Sequence, residues 1–517
     1  MHDTTFSTAR VSASPVLRAG ILQHAVLALL FSVSIWTYIQ FATPHLVDND
    51  GYYHIKMAAL IREHGLPVHF PWLKLTLLDE SGYTDHHMLM HVFQIPFTYL
   101  NDLRLAAKWS AIAFATFAFI CFYWVVWRYE IRYPLLWLLL LVASSHAFLF
   151  RMSMPRGQSL SLGFQLIAFH FLMTRNRLGL VSVSALFVWA YNAFTILIPL
   201  VGVGVIAHYI VERRVASSLL LAVGGGMLLA LVIHPYFPRD ILFLWNHIVP
   251  KLFATEYGTS VGAEWYPYTS WVLVTNAPLA LIAYVTAIAI TNREEWTHDL
   301  PRLYWALVAT MYLVLLLKSR RFVEYFPPAA ILFLAFAVRG WLARVDWSAI
   351  TFSPIRFGST VCASLLLLWS CQVAIATVRN EIANSAATDL YRGGAEWLAT
   401  HTPANTMVFH TDWDDFPMLF FFNTHNTYVV GLDPDFMRLK DERRFRLWEA
   451  ITRGEIPAFE DSILKDFGCE YVFTDNEHHE FIALAQRSPR MEKVYTDTNV
   501  TIYRVLANSL FLDPATR

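Results

Sequence analysis

The chain has 517 residues, of which 56% are hydrophobic and only 15% are charged. Soluble proteins carry about a quarter of charged residues, so this composition excludes a wholly soluble protein. The formal net charge is −1, and the absence of a basic tail or stripe argues against nucleic-acid binding. No zinc-site or disulfide spacing occurs among the four cysteines, Cys121, Cys362, Cys371 and Cys469.

Apolar runs recur through the first three quarters of the chain. Because about 20 apolar residues cross a bilayer as a helix, they predict a polytopic α-helical membrane protein with about 11 spans, each bounded to within ~2–4 residues. The runs are 21–42, 104–127, 133–150, 158–174, 178–192, 193–211, 216–234, 268–291, 302–318, 322–340 and 357–378.

Basic residues predict the orientation, because cytoplasmic loops are enriched in arginine and lysine. With the N-terminus inside, the outer side receives loops 43–103 and 235–267 and the whole of 379–517. We therefore expect a bacterial inner-membrane protein whose C-terminal part is periplasmic. Two outer turns nevertheless carry cations, which makes them candidates for anion binding; these cations are Arg151 and Arg156, and Lys318, Arg320 and Arg321.

The C-terminal part has a different pattern. Short strand-like runs alternate there with helix-like runs, which predicts a soluble α/β domain over 379–517 after a membrane domain over 1–378. The strand-like runs are Met407–His410, Tyr428–Val430, Tyr471–Thr474 and Val500–Val505, and the helix-like runs are 387–400, 439–453, 457–467 and 478–487.

The first outer loop concentrates carboxylates and imidazoles at the membrane surface. Asp48 and Asp50 stand at the start of a helix, and Asp85, His86 and His87 stand at the far end of the loop. Such groups hold a divalent ion or act as a general base. The alternatives are that Asp48 only caps the helix and that the histidines are ordinary interfacial residues.

Further charged groups fall at other outer helix ends. Glu264 precedes one span, and Arg320, Arg321 and Tyr325 precede another. Arginines at such a position, Arg156 included, suit bidentate recognition of phosphate. The alternative is a local ion pair between Glu324 and one of its two neighbouring arginines.

Four segments together resemble the catalytic subunits of oligosaccharyltransferases, which are membrane glycosyltransferases of the GT-C fold. Asn49-Asp50-Gly51-Tyr52 resembles their first acidic motif, and Glu264 stands where they have a loop glutamate. Arg320 to Pro328 resembles their segment for the donor phosphates, and Asp412 to Phe416, with Trp413 and Asp414, stands at their acceptor-recognition motif. The resemblance implies a metal held by Asp50, Glu264 and here His86, with Mg or Mn as the candidate.

The chain also departs from that pattern. The segment from His146 to Arg156 stands where a second acidic pair is expected, and it contains no carboxylate. Asp412 replaces the first tryptophan of the acceptor motif. Asp85-His86-His87 is more similar to a loop motif of related enzymes that use polyprenyl monophosphate sugars.

These observations predict a membrane glycosyltransferase that moves a sugar or oligosaccharide from a polyprenyl-(pyro)phosphate donor to a protein, lipid or glycan acceptor. Asp50, Asp48 and Glu264 are the predicted catalytic carboxylates. The predicted substrate-binding residues are Arg320, Arg321, Tyr325, Arg156, Asp85, His86, His87, Trp413 and Asp414. A transporter or flippase, or a non-catalytic scaffold, is the alternative. Glycosyl transfer requires that Asp50, Glu264 and Arg320 or Arg321 meet at one pocket.

Overall fold

The computed structural model describes residues 15–248, 262–344 and 354–507, and its first part is helical. The α-helices there are Pro15–Gln40, Asp50–His64, Met88–Gln94, Leu103–Arg128, Pro134–Ser144, His146–Met152, Gln158–Met173, Arg177–Ala190, Leu197–Glu212, Ser217–Val232, Arg239–Phe243, Ser270–Asn276, Pro278–Ile290, Glu295–His298, Leu300–Lys318, Phe326–Arg344 and Pro354–Ala383. Single turns of 3-10 or π type are Ile95–Tyr99, Asn192–Ile196, Leu244–Ile248, Ala263–Trp265 and Arg320–Glu324.

Not every apolar helix is long enough to cross a bilayer alone. Among the residues that the structure describes, five are long and apolar enough, namely Leu103–Arg128, Asn192–Glu212, Leu300–Lys318, Phe326–Arg344 and Pro354–Ala383. Two bent pairs raise the number to seven if each pair is one span. The described part of the chain is therefore that of an integral membrane protein with five to seven candidate spans, and the count of about 11 stays a prediction.

The two bent pairs contact each other at their breaks. Pro134–Ser144 and His146–Met152 meet at 97°, and Ser270–Asn276 and Pro278–Ile290 meet at 89°. At the first break, the Ser145 hydroxyl accepts a bond from the backbone N–H of Phe148 (3.0 Å) and donates to the carbonyl of Asn276 (2.6 Å). The cap starts a new helix direction, and this short helix carries Arg151 toward the turn Arg320–Glu324.

The C-terminal part contains a five-stranded sheet. Its strands are β1 (Met407–His410), β2 (Thr427–Tyr428), β3 (Tyr471–Asp475), β4 (Met491–Thr496) and β5 (Val500–Val505), in the order β2-β1-β3-β5-β4. The pairs β1–β2 and β1–β3 are parallel, and β3–β5 and β4–β5 are antiparallel. Helices surround it at Arg392–His401, Phe416–Phe422, Asp435–Lys440, Glu442–Thr452, Glu460–Lys465 and His479–Arg487, with a 3-10 turn at Trp413–Asp415.

The first outer loop and the C-terminal part share one core. Tyr53 and Phe70 of the loop pack with Phe416 and Phe420 of the C-terminal part in a single buried cluster. Backbone hydrogen bonds join them as well, from Tyr428 N–H to the carbonyl of Trp72 (2.8 Å) and from Leu77 N–H to that of Phe436 (2.9 Å). The predicted boundary at residue 378 therefore separates two parts that are packed together. Of the predicted outer loop 235–267, residues 249–261 lie outside the described residues.

Candidate functional site

The first part of the site is the pair of acidic residues at the start of helix Asp50–His64. Arg156 lies between them, with Nη1 3.2 Å from Asp48 Oδ2 and Nη2 3.0 Å from Asp50 Oδ2. The side chains of Asp48 and Arg156 are each 17% exposed, and that of Asp50 is 29% exposed. We call Asp48, Asp50 and Arg156 the outer cluster.

Close packing of the Pro155 ring on Gly51 brings this cluster together. A Cβ atom on Gly51 would lie 2.4 Å from Cγ of Pro155, which no ordinary contact allows. Glycine at position 51 thus lets the loop that carries Arg156 pack directly on the first turn of the helix. The sequence Asp50-Gly51 therefore combines a functional group with the space that its partner needs.

The second part of the site is a set of ion pairs that includes the fully buried Glu324. Arg151 Nε donates to Glu324 Oε1 (2.8 Å), and another nitrogen of Arg151 contacts Glu264. Arg321 Nη1 lies 3.2 Å from the other oxygen of Glu264. The exposed fractions of these side chains are 10% for Arg151, 0% for Glu324, 19% for Glu264 and 14% for Arg321. We call these four residues the inner cluster.

Backbone contacts position the inner cluster. The Ser319 hydroxyl donates to the carbonyl of Glu264 (2.9 Å), and Arg320 N–H donates to the carbonyl of Tyr266 (3.0 Å). These bonds align the turn Ala263–Trp265 with the turn Arg320–Glu324. Arg321 then contacts the hydroxyl of Tyr191 and lies over the ring of Trp265 at 5.0 Å.

The two clusters interact electrostatically. Burial raises the pKa of Asp50 from 3.8 to about 6, because the attraction of Arg156 only partly offsets burial and the repulsion from Asp48, Glu264 and Asp433. Burial would also raise the pKa of Glu264, but its attraction to Arg151, Arg321 and Arg156 is stronger and holds that pKa far below 4.5. Glu264 is thus a permanent anion, whereas Asp50 takes up a proton in mildly acidic solution.

Two predicted substrate residues of the helix junction lie elsewhere. The Arg320 guanidinium does not join the inner cluster. It contacts the carbonyls of Tyr266 and Pro267 (both 3.2 Å) and the ring of Tyr268. Tyr325 is buried, and its hydroxyl is 2.9 Å from that of Ser161. The polar atom of Tyr325 therefore lies inside the helix packing, and its contact with a substrate stays a prediction.

The three residues of the predicted Asp85-His86-His87 group also have different surroundings. Asp85 Oδ2 accepts from Nδ1 of His91 (2.7 Å), and His91 Nε2 lies 2.8 Å from Nδ1 of His54. Asp85 is 2% exposed and its carboxylate contacts histidine, and its contact with substrate stays a prediction. His87 packs its ring against His54 and Tyr191.

His86 alone of this group faces open space. Its ring stacks on Phe243 with 4.6 Å between the centroids. It lines a cavity of about 350 Å³, open mouth included, whose other polar lining residues are Thr84, Asn192, His234 and Asp240.

The acceptor-motif segment approaches the outer cluster from the C-terminal part. The Asn49 side-chain amide donates to the backbone carbonyl of Asp414. The charge of Asp50 is one of the causes that raise the pKa of Asp414, after burial and the charge of Asp412. Trp413 is half-buried and packs at the edge of the C-terminal core. The side chain of Asp414 is exposed, so it is the member of the segment that a ligand could contact.

The predicted metal ligands do not form a site. Among the described residues, no three Asp, Glu, His or Cys side chains are placed to hold one metal ion. Arg151 and Arg321 hold the two oxygens of Glu264, Arg156 holds Asp50, and His86 lies against Phe243. The donors therefore do not fit a divalent ion, because guanidinium groups already occupy the carboxylates.

Sequence reasoning found most of the charged residues but missed some partners. Arg151 was expected to bind an anion, and the structure pairs it with Glu264 and Glu324, 113 and 173 positions away. The alternative that Glu324 pairs with Arg320 or Arg321 is wrong. Tyr191 had no signal in the sequence beyond its place at an outer helix end.

Solved structures share this fold. The archaeal oligosaccharyltransferase AglB of Archaeoglobus fulgidus, in complex with an inhibitory peptide and a dolichol-phosphate, matches with a TM-score of 0.63 and 14% identity over 95% of this chain and 75% of its own. ArnT of Cupriavidus metallidurans, bound to undecaprenyl phosphate, matches with a TM-score of 0.55 and 14% identity over 93% of this chain and 98% of its own.

A third structure is the Archaeoglobus fulgidus oligosaccharyltransferase in complex with Zn and sulfate, at 12% identity and a TM-score of 0.58, over 93% of this chain and 73% of its own. No protein-family model and no curated protein sequence matches the chain. AglB and ArnT are both GT-C glycosyltransferases, so the predicted resemblance to that fold is confirmed. At these identities the likeness concerns the fold.

Proposed function

We propose that this protein is a membrane glycosyltransferase that moves a sugar from a polyprenyl-phosphate donor to an acceptor on the non-cytoplasmic face. One observation carries the proposal. Asp48, Asp50, Arg156, Glu264 and Arg321 come from four separate segments of the chain and meet in one electrostatic network. A scaffold gains nothing from such convergence, and the fold is shared with proteins solved with dolichol-phosphate and undecaprenyl phosphate.

Asp50 is the proposed base. Its pKa of about 6 leaves most of the carboxylate ionised at neutral pH, and a base works best with a pKa near the working pH. Its side chain is the most exposed of the outer cluster. The acceptor nucleophile attacks the anomeric carbon, the bond from that carbon to the phosphate oxygen breaks, and the nucleophile's proton passes to Asp50.

Arg321 is the proposed group for the leaving phosphate. The bond's electron pair departs with the polyprenyl phosphate, so negative charge grows on the phosphate oxygens. A fixed guanidinium offsets that charge without reorganising at the moment of reaction. Arg321 is fixed by Glu264, Tyr191 and Trp265, whereas Arg320 is engaged with backbone carbonyls.

The acceptor side is proposed to lie between the outer cluster and the C-terminal part. Asp414 stands at that border, and the Asn49 amide bonds to its carbonyl. An acceptor nucleophile that approaches along this border reaches Asp50 next to Asn49 and Asp414. We propose a periplasmic location for this border, since the outer side also carries the C-terminal part.

Reconstitution tests the proposal. The purified full chain in lipid nanodiscs is supplied with radiolabelled polyprenyl monophosphate and diphosphate sugars together with protein, lipid and glycan acceptors. Transfer of label with release of the polyprenyl phosphate supports the proposal. Movement of the labelled lipid across a vesicle membrane without release identifies the transporter or flippase alternative and contradicts it.

A further inference from the structure

The outer cluster pairs its carboxylates with a cation that belongs to the chain. Asp48 and Asp50 lie on either side of Arg156, at 3.2 and 3.0 Å. Carboxylate pairs on a shared cation are also how proteins hold divalent ions, and a neighbouring structure of the fold was solved with Zn and sulfate. In this chain the guanidinium stands where such an ion would have to stand.

We propose that Arg156 is the resident cation of the Asp48–Asp50 pair and that it keeps divalent metal ions out of the site. The inference rests on the proposed function for its catalytic meaning, but its chemistry concerns metal binding alone. Arg156 then acts as a positioning residue, since it holds Asp50 in place.

The local structure fixes this guanidinium rather than leaving it mobile. The Arg156 backbone N–H donates to the carbonyl of Met154 (2.8 Å), and the preceding Pro155 packs on Gly51. The side chain is 17% exposed. A metal ion could enter only by displacing this largely buried arginine from its ion pairs with both Asp48 and Asp50.

The other carboxylates of the network offer no second metal position. Glu264 contacts Arg151 and Arg321 through separate oxygens, and Glu324 contacts Arg151. Three guanidiniums therefore face four carboxylates, Asp48, Asp50, Glu264 and Glu324. With three positive charges against four negative ones, this arrangement is already close to neutral, whereas a site prepared for a divalent ion keeps an excess of negative charge.

The chemistry of arginine also suits a cation that lies between two carboxylates. Its guanidinium stays charged at any physiological pH and offers a planar fork of donors. Here Nη1 lies beside Asp48 and Nη2 lies beside Asp50, so the two ends of the fork face different carboxylates. Lysine has a point charge without the fork, so Arg156→Lys keeps the positive charge and tests whether charge alone excludes the metal ion.

Manganese binding to the purified full chain tests the proposal. We expect no stoichiometric metal by mass spectrometry of the purified protein and no bound Mn²⁺ by electron paramagnetic resonance. Arg156→Ala should bind Mn²⁺ more tightly by on the order of tenfold, because a positive charge next to the pair has been removed. Arg156→Lys should stay like the wild type, and Arg156→Gln replaces Arg156→Ala if the latter does not fold.

The contrary results are equally distinct. A stoichiometric Mn²⁺ ion in the wild type that is lost in Asp50→Asn would overturn the proposal, and so would no gain of Mn²⁺ in a folded Arg156→Ala or Arg156→Gln variant. None of these measurements needs a sugar donor. Absence of glycosyl transfer in the reconstituted system would therefore contradict the proposed function and leave the metal result interpretable.

Discussion

The outer and inner clusters are built from the same chemistry but differ in exposure. Each pairs arginine with two carboxylates, but the outer side chains are 17–29% exposed, whereas the inner ones range from 0% for Glu324 to 19% for Glu264. Breaking the buried pair of Arg151 and Glu324 leaves a polar group without its partner in a poor solvent, whereas breaking a partly exposed pair lets water replace the lost partner. The inner cluster is therefore expected to hold the structure together, and the outer cluster to react.

Removal of an inner arginine should have the largest effect on stability. We expect Arg151→Ala to destabilise the protein by about 3–5 kcal/mol, because Glu324 is fully buried and Arg151 is its ion-pair partner. Arg156→Ala should cost only about 1 kcal/mol, since the outer side chains are partly exposed to water. Thermal unfolding of the two variants in the same detergent measures the difference, and equal losses would remove the distinction between the clusters.

The neighbouring arginines Arg320 and Arg321 allow a second comparison, which concerns binding of the donor phosphate. Arg321→Ala should weaken binding of undecaprenyl phosphate by roughly 10–100-fold, since a charge-assisted hydrogen bond contributes about 1.5–3 kcal/mol. Arg320→Ala is the matched control, because that guanidinium contacts backbone carbonyls at the surface. Titration of the lipid into nanodiscs follows both variants. A larger loss in Arg320→Ala would reverse our assignment of the phosphate ligand.

The pH dependence of transfer should follow the outer cluster. With a pKa of about 6 for Asp50, the base is ionised above that pH, so the rate should rise from pH 5 to pH 7 and then level off. At pH 5 we expect a rate about tenfold below the plateau, as one group with this pKa requires.

Arg156→Gln provides the control for this profile. The Arg156 guanidinium lowers the pKa of Asp50, so its removal should move the acid limb of the profile to higher pH. A profile that does not change in this variant would show that the titrating group lies elsewhere.

Local signals in the sequence predicted the helices and the charged loop ends well. Gly51 after Asp50, the cations at Arg151 and Arg156, and the strands at Met407–His410 and Val500–Val505 are all visible from neighbouring residues. A strand at Met491–Thr496 was missed, because its residues alternate only weakly between apolar and polar.

The pairing of charges could not be predicted in the same way. Which carboxylate meets Arg151 depends on two helix bends and on a contact over 173 positions, and no local pattern encodes that distance. The partner of Asp85 could not be predicted either: its carboxylate accepts a hydrogen bond from His91 inside the protein. Charged residues at outer helix ends thus indicated where a site lies, but not which of them remain free to act.

Transfer by Asp50→Asn tests the central claim most directly. This variant keeps the shape of the side chain and removes its ability to accept a proton, and Glu63→Gln, on the same helix and 50% exposed, is the matched control. We predict that Asp50→Asn lowers the rate of label transfer on the order of 10²–10⁴-fold at an unchanged melting temperature, while Glu63→Gln transfers like the wild type. Undiminished transfer by a folded Asp50→Asn protein would contradict the account.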